Sequence, residues 1–338
     1  SIGEILEIAC LKSEFNETRI NLLVPALSKE QIFGGISTAL SFFKEISKSF
    51  NNARIILTDQ TFFLHKQNPD YLNWEIVESD SDCRGLTIVA MGDRYGKTLK
   101  VGKNDFFIAT AWWTAYNANI ISKWQANQYL LETKKPYIYL IQDYEPGFYP
   151  WSSRYSISES TYHCSEDYIA VFNSKLLKDF FNNEGYSFKN SFFFDPILNE
   201  RLKLLRKGSI KPNRNKRVLF YGRPGVDRNC FEIIVMALKI LVQKYNCSEW
   251  SFVTAGEFHE DIELGNNIYL KSLGKLTLDE YANELGSSMI GVSLMVSPHP
   301  SYPPLEMASF GMKVITNNYK NKNLSLLSSN IYSLSSLS

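Results

Sequence analysis

The sequence predicts an α/β protein made of two doubly wound, parallel-sheet lobes facing a cleft. Three observations carry the prediction. Short apolar runs alternate with longer segments of helical apolar spacing, and that alternation implies parallel sheets covered on both faces. The alternation starts twice, once near residue 19 and again near residue 217. Between the two series lies a basic, weakly apolar stretch, residues 200–216, which contains Gly208, Pro212 and two asparagines.

In the first series, strands are expected at 19–26, 54–58, 86–91, 105–109, 136–141 and 168–172, with helices at 36–50, 115–131 and 175–183. The helix at 36–50 is read from Leu40, Phe43, Ile46 and Phe50, which fall on one face. Residues 1–18 form an amphipathic, Glu/Lys-flanked start with no legible chemistry. The stretch 200–216 reads as an interdomain linker, dividing the chain into 1–199 and 217–338. In the second series, strand 217–221, helix 231–245, strands 250–255 and 268–271, helix 277–286, strand 290–296, a helix bearing Glu306 and strand 313–316 follow in order. Beyond Thr316 the chain is rich in Asn, Lys and Ser and reaches Ser338 without the closing helix such a lobe should have. Either the native protein is longer or a helix from elsewhere covers that face. No internal repeat is visible.

Composition narrows the class. The chain has 338 residues, 44% apolar and 21% charged, as expected of a soluble globular protein long enough for two domains. Lys+Arg of 36 against Asp+Glu of 35 leaves no basic excess to attract nucleic acid. No apolar run approaches the roughly 20 residues that span a bilayer, and the start lacks the pattern of a secretion signal. The five cysteines, Cys10, Cys83, Cys164, Cys230 and Cys247, are scattered and form no CxxC pair, so a reduced, cytoplasmic protein is expected. Peripheral contact with the inner face of a membrane and a homodimer are compatible with this composition.

The most informative segment is Ser-Pro-His-Pro-Ser-Tyr-Pro-Pro-Leu-Glu-Met-Ala-Ser-Phe-Gly, residues 297–311. Pro303 and Pro304 suit a first helical turn, where an amide is unpaired and φ is already set. Ser301 is the expected cap, with Tyr302 beside it. Glu306 is then expected in the first turn, near free amides and the positive dipole end. Such a place suits a phosphorylated ligand that also carries hydroxyls, with Glu306 accepting hydrogen bonds from those hydroxyls. The plainer reading is a strand-to-helix loop whose glutamate only complements the dipole.

Other loops fall on the same rim. Gly-Arg-Pro-Gly-Val-Asp-Arg, residues 222–228, follows the first strand of the second series. Arg223 and Arg228 offer rigid, permanently charged forks that match phosphate oxygens; otherwise they are solvated loop charges. Gly256 and Lys275 end the next two strands of that series. Lys275 could neutralise phosphate or simply be exposed. In the first series, Gly34 and Gly35 open the first helix, where paired glycines let a ligand approach backbone. A tight turn is the alternative, because the third glycine of a dinucleotide fingerprint is absent. Asp143 and Glu145, in Gln-Asp-Tyr-Glu-Pro, could act on an acceptor hydroxyl or merely be solvated. Trp112, Trp113 and Trp151 flank that rim, with burial in a core as the default. None of His65, His163, His259 and His299 has a partner at metal-ligand spacing, and there is no HExxH, GxSxG or Walker motif.

With these motifs in hand, the second series resembles the donor half of the GT-B glycosyltransferases, which pair two Rossmann-like lobes, and specifically their retaining family-four group. In that group a strand followed by Gly-Arg, with a second basic residue five positions later, binds the donor diphosphate. The matching residues are Arg223 and Arg228, the latter replacing the usual lysine. The turns at 255–257 and 273–276 resemble that group's glycine turn and its nucleobase-contacting backbone. Leu-Glu-Met-Ala-Ser-Phe-Gly, residues 305–311, resembles the end of its paired-glutamate motif, and Gly34–Gly35 resembles its glycine loop. One departure stands out: the first glutamate of the pair is replaced by Pro298. Pro-His-Pro-Ser-Tyr-Pro-Pro-Leu-Glu and Gln-Asp-Tyr-Glu-Pro-Gly-Phe-Tyr-Pro-Trp are similar to segments of bacterial rhamnosyltransferases of surface-layer rhamnan assembly. The resemblance implies dTDP-L-rhamnose as donor substrate, a growing rhamnan or lipid-linked glycan as acceptor, retention of configuration, and no metal or cofactor. Together with the loop readings above, the expected donor contacts are Arg223, Arg228, Gly256, Lys275, Ser301, Tyr302 and Glu306, and the expected catalytic carboxylates are Glu306 and Asp143. The resemblance also implies that the absent final helix is one that crosses back to the first lobe. Three other classes compete: a sugar-nucleotide epimerase, a noncatalytic sugar-binding protein, and a nicotinamide-dependent dehydrogenase disfavoured by the missing fingerprint.

Overall fold

A computed structural model describes residues 2–31 and 34–337 and divides into two compact units, Ser1–Phe194 and Asp195–Ser338. In the first unit the elements run β1 (Cys10–Lys12), β2 (Arg19–Val24), α1 (Gly34–Ser47), β3 (Ala53–Leu57), β4 (Glu75–Ile76), β5 (Leu86–Ala90), β6 (Leu99–Val101) and β7 (Asp105–Ala109). They continue with α2 (Trp112–Gln128), β8 (Tyr137–Ile141), α3 (Ser153–Ser160), β9 (Tyr168–Phe172), α4 (Lys175–Asn183) and β10 (Ser191–Phe193). Eight strands form one parallel sheet in the order β10-β9-β8-β7-β2-β3-β5-β4, and β1 pairs separately with β6.

Both faces of that sheet are covered. Ile20, Leu22 and Val24 of β2 point into one apolar cluster with Phe43 of α1, while Leu23 points into another with Ala115 and Ala118 of α2. Side chains alternate between faces of a strand, so a strand buried on both sides needs an unbroken apolar run. All six residues of β2 and all five of β3 are buried. The strand order reverses between β2 and β7, and open α/β sheets bind ligands beyond the strand ends at such a reversal. The loops after these two strands lead to Gly34 and to Trp112.

The opposite edge of the sheet holds a buried charge cluster. Arg19 donates from Nε and Nη2 to Asp105 at 2.8 and 2.9 Å, and Arg54 Nη2 lies 3.5 Å from the same carboxylate. Gly102 N–H adds a 2.7 Å bond to Asp105 Oδ2. Burial alone would raise the Asp105 carboxyl, but Arg19 and Arg54 overcome it and hold it below the usual carboxylate range.

The second unit contains α5 (Glu200–Ser209), β11 (Asn215–Gly222), α6 (Phe231–Lys244), β12 (Ser251–Gly256), β13 (Ile262–Gly265), β14 (Ile268–Ser272), α7 (Leu278–Ser287), β15 (Ser288–Val292), α8 (Tyr302–Ser309), β16 (Lys313–Asn317) and β17 (Ile331–Leu334). Its seven-stranded sheet has the order β13-β14-β12-β11-β15-β16-β17, parallel except for β13 against β14. Its reversal lies between β11 and β15.

Two expectations change here. The stretch 200–216 is not a linker: α5 occupies most of it and β11 begins at Asn215. Asn199 Oδ1 caps α5 by accepting from the N–H groups of Arg201 and Leu202, and Leu202 is 1% exposed. The helix lies so close to α7 that a Cβ on Gly286 would sit 1.9 Å from Ser209 O. A short helix that buries few apolar residues needs little apolar content, so its charge made it look like solvated chain. Beyond Thr316, where no element was expected, β17 pairs with β16 at the sheet edge.

The Asp105 cluster yields a stability prediction. Asp105→Asn leaves two guanidinium groups buried without their counter-charge, at an expected cost of about 3–5 kcal/mol. Denaturant unfolding at neutral pH measures it. Because the folded carboxyl is depressed, the wild-type contribution is complete above about pH 4 and fades as pH falls through the lowered value, and the variant should lack that acid-dependent component.

Candidate active site

In the second unit the site is built where β11, β12 and β15 end together. Gly222 and Gly256 are register partners at the last position of their strands. Gly256 has φ +139°, and a Cβ there would meet Gly222 O at 2.4 Å, so only glycine fits. Glu257 N–H donates to Gly222 O at 2.9 Å, and Gly225 N–H donates to Glu257 Oε2 at 3.0 Å. These bonds shape the loop carrying Arg223 and Arg228 before any ligand is considered.

The same loop is joined to the one that precedes α8. Val296 N–H donates to Arg228 O at 2.8 Å, and Asn229 Nδ2 donates to Leu294 O at 3.1 Å. From the other side, Met295 N–H donates to Asn317 Oδ1 at 2.7 Å, and Met295 O accepts from Asn317 Nδ2 at 3.1 Å and Lys322 Nζ at 2.8 Å. Residues 294–296 therefore spend their hydrogen bonds on the Arg228–Asn229 loop and on the Asn317 and Lys322 side chains, which explains why β15 ends at Val292 and not at 296. Lys322 is 1% exposed, and nothing in its Asn- and Ser-rich surroundings marked it for burial.

Two details of α8 correct the expectation. The helix starts at Tyr302, with the proline pair at its second and third positions, so Glu306 is its fifth residue and stands one turn in, not in the first turn. Ser301 occupies the cap position with φ 68°, but its side chain makes no capping bond; its N–H instead donates to His299 Nδ1 at 3.0 Å. Tyr302 rests its ring 5.8 Å from His299.

Glu306 is consequently held by tertiary contacts and not by the helix end. Tyr281 of α7 donates from its hydroxyl to Glu306 Oε2 at 3.1 Å. Burial pushes the Glu306 carboxyl up to about 7, an effect the Tyr281 bond partly offsets. Tyr221, at the end of β11, hydrogen-bonds Arg223 and also feels the Glu306 charge. Arg223, Tyr221, Tyr281 and Glu306 thus form one cluster. The two tyrosines carried no sequence signal, since each sits in an ordinary strand or helix pattern. Beside Glu306, a recess of about 40 Å³ is walled by Pro196, Ile197, Leu198, Tyr302 and Leu305. Lys275 lies exposed on the loop after β14, next to Gly274 at φ +65°.

The first unit places its residues separately. Gly34 begins α1 and is exposed; a Cβ at Gly34 would meet nothing within 4 Å, and one at Gly35 would make only ordinary contact with Gln142 at 3.7 Å. Packing does not demand glycine at either position. Asp143 follows β8 and accepts from Tyr144 N–H at 2.8 Å. Glu145 is structural: it is 8% exposed and accepts from Trp112 N–H at 2.6 Å, capping α2. Trp112 is fully buried, whereas Trp151 is 94% exposed and leans on Tyr155 with ring centroids 6.4 Å apart. Among the described residues no group of three or more His, Cys, Asp or Glu side chains could hold a metal ion, and no helix is long and apolar enough to cross a membrane.

Comparison with known proteins agrees with this architecture. TarM superposes with a TM-score of 0.62 at 8% identity, covering 96% of this chain and 90% of TarM. A glycosyltransferase from Rickettsia africae gives 0.56 at 13% identity over 96% and 86%. Sucrose-phosphate synthase from Thermosynechococcus elongatus gives 0.54 at 12% identity over 89% and 82%. Likeness at such identity shows the fold, which is GT-B. An O-antigen biosynthesis protein, RfbC, of Myxococcus xanthus is 28% identical over 219 residues, 63% of this chain but only 15% of that relative. The N-terminal domain of WsaF matches residues 19–175 and its C-terminal domain matches residues 216–338. The chain belongs to the WsaF family and has the GT-B glycosyltransferase fold.

Proposed function

We propose that this protein is a glycosyltransferase that moves a deoxyhexose, L-rhamnose from dTDP-L-rhamnose, onto a growing rhamnan or other surface-polysaccharide acceptor, with retention of configuration. The observation that carries the proposal is the union of the Arg223–Arg228 loop with the loop ahead of α8 through the Val296–Arg228 and Asn229–Leu294 bonds. It supports a common anion site for the two guanidinium groups and the backbone leading to Glu306. Family membership supports the reaction class, and the apolar recess beside Glu306 supports a ligand with an apolar edge, such as a methyl group.

In this reading the diphosphate of the donor meets Arg223 and Arg228, and Glu306 accepts a hydrogen bond from a ring hydroxyl. The anomeric C–O bond breaks through a cationic sugar while negative charge grows on the departing diphosphate. Fixed cations aimed at that charge bind the transition state more tightly than the ground state and lower the barrier. In the first unit, taken by itself, Gly34 and Gly35 present open backbone at the start of α1 that suits a phosphate. The donor phosphate takes the acceptor proton; in the first unit, Asp143 and the aromatic rim that includes Trp151 suit an acceptor sugar.

Incubation with dTDP-L-rhamnose, with and without a rhamnoside acceptor, tests the reaction. Donor turnover only in the presence of acceptor is expected. Product from nucleotide sugar alone would instead indicate epimerisation, and saturable binding without turnover a binding module. Arg223→Ala should weaken dTDP affinity about 10- to 100-fold, the range for loss of a charge-assisted contact. Calorimetry checks this, and unchanged affinity removes the assigned role. Glu306→Ala should lower kcat/KM about tenfold or more; wild-type kinetics would end its assignment.

A further inference from the structure

The Glu306 carboxylate is used asymmetrically. Its Oε2 receives the Tyr281 hydroxyl at 3.1 Å, and among the described residues no side chain binds Oε1. Tyr281 comes from α7 and Glu306 from α8, so the bond fixes one helix against the other at the place where the carboxylate is needed. From these contacts we infer that Tyr281 is a positioning residue for donor binding: it holds Oε2 so that Oε1 faces the hydroxyl of the donor nucleotide's deoxyribose ring. The inference rests on the donor-site reading above and adds to it the residues that orient Glu306.

Three features of the geometry lead there. First, a carboxylate with one oxygen held by a fixed donor has lost most of its rotational freedom before the ligand arrives, which lowers the cost of binding. Second, the hydroxyl of Tyr281 can only donate to an ionised carboxylate, so the pair favours the charged form of a group that burial pushes toward neutrality. Third, Tyr221 bonds Arg223 while sharing the field of Glu306 and Tyr281, so the proposed phosphate contact and the hydroxyl contact belong to one polar network. The titratable and charged groups facing Glu306 are Tyr281 from α7, Tyr221 from β11 and, through Tyr221, Arg223; on its own segment His299 and Tyr302 lie together ahead of the helix.

The test is calorimetric affinity for dTDP as a function of pH in the intact protein. Wild type should bind tightly above a midpoint near neutrality and more weakly below it, because the bond that ionised Glu306 accepts is charge-assisted and the one the neutral acid accepts is weaker. Tyr281→Phe keeps the ring and removes the donor. Its midpoint should move up by about one pH unit, so that affinity at pH 7 falls about fivefold and recovers in alkali. In a Glu306→Gln background the same substitution should add nothing. Replacement of Tyr281 by 3-fluorotyrosine, a stronger donor, should move the midpoint down, which guards against a Phe variant that folds poorly. A purely structural role would weaken binding equally at every pH and leave the midpoint in place, and that result would overturn the inference. If Glu306→Gln and Arg223→Ala both bind dTDP as wild type does, the donor-site reading itself fails, and this inference with it.

Discussion

Parallel pairing at the end of β11 is the constraint on which the candidate site depends. Parallel strands all deliver their following loops to one edge, so β11, β12 and β15 release theirs side by side. The register goes further by setting Gly222 opposite Gly256, where backbone approaches backbone too closely for any side chain. That contact brings Glu257 over the Arg223 loop, and the loop in turn holds residues 293–296 through Arg228 and Asn229. The positions of Arg223, Arg228 and the α8 start all follow from a few backbone bonds at strand ends.

One carboxylate in each unit shows an opposite balance of partners. Asp105 sits among two guanidinium groups and a backbone amide, at the first residue of β7 and away from the loops that follow the strands, and stays ionised. A charge so fully partnered serves to pin strands and has no capacity left for a ligand. Glu306 has one phenol as its partner and lies poised near neutrality. Incomplete satisfaction of a buried carboxylate costs stability, and such groups gather where a ligand completes the network. The contrast separates a carboxylate whose bonds are all spent from one that keeps an oxygen unspent, and neither state is visible in the sequence around it.

Much of the fold was legible because a sheet buried on both faces demands apolar runs, and those of β2, β3, β7, β8 and β9 are visible by eye even where Arg19, Asn21, Arg54 and Asp105 interrupt or flank them. The elements that escaped are those with weaker demands. Helix α5 needs little more than Leu202 to dock on α7, so its composition is that of a solvated segment. Strands β1, β6 and β10 are three residues long, too short for a period to appear. At the site, glycines, arginines and the Pro-Pro-Leu-Glu helix start announced themselves through local chemistry. Tyr221, Tyr281 and Lys322 did not, because a tyrosine in a strand or helix and a lysine among asparagines look the same whether they are exposed or enlisted. Glu145 shows the reverse error: a carboxylate in a polar loop becomes a helix cap only once β8 and α2 are adjacent.

The sequence by itself determined the class of architecture and offered candidate loops and candidate phosphate contacts, because periodicity and residue chemistry are local properties of the chain. Only the tertiary structure decided what each of those groups is doing. It moved Glu306 from the helix end to a tyrosine on a neighbouring helix, removed the linker, and gave Glu145 to the framework. Burial, charge state and hydrogen-bond partners depend on atoms brought together from distant positions, and no local pattern encodes that proximity.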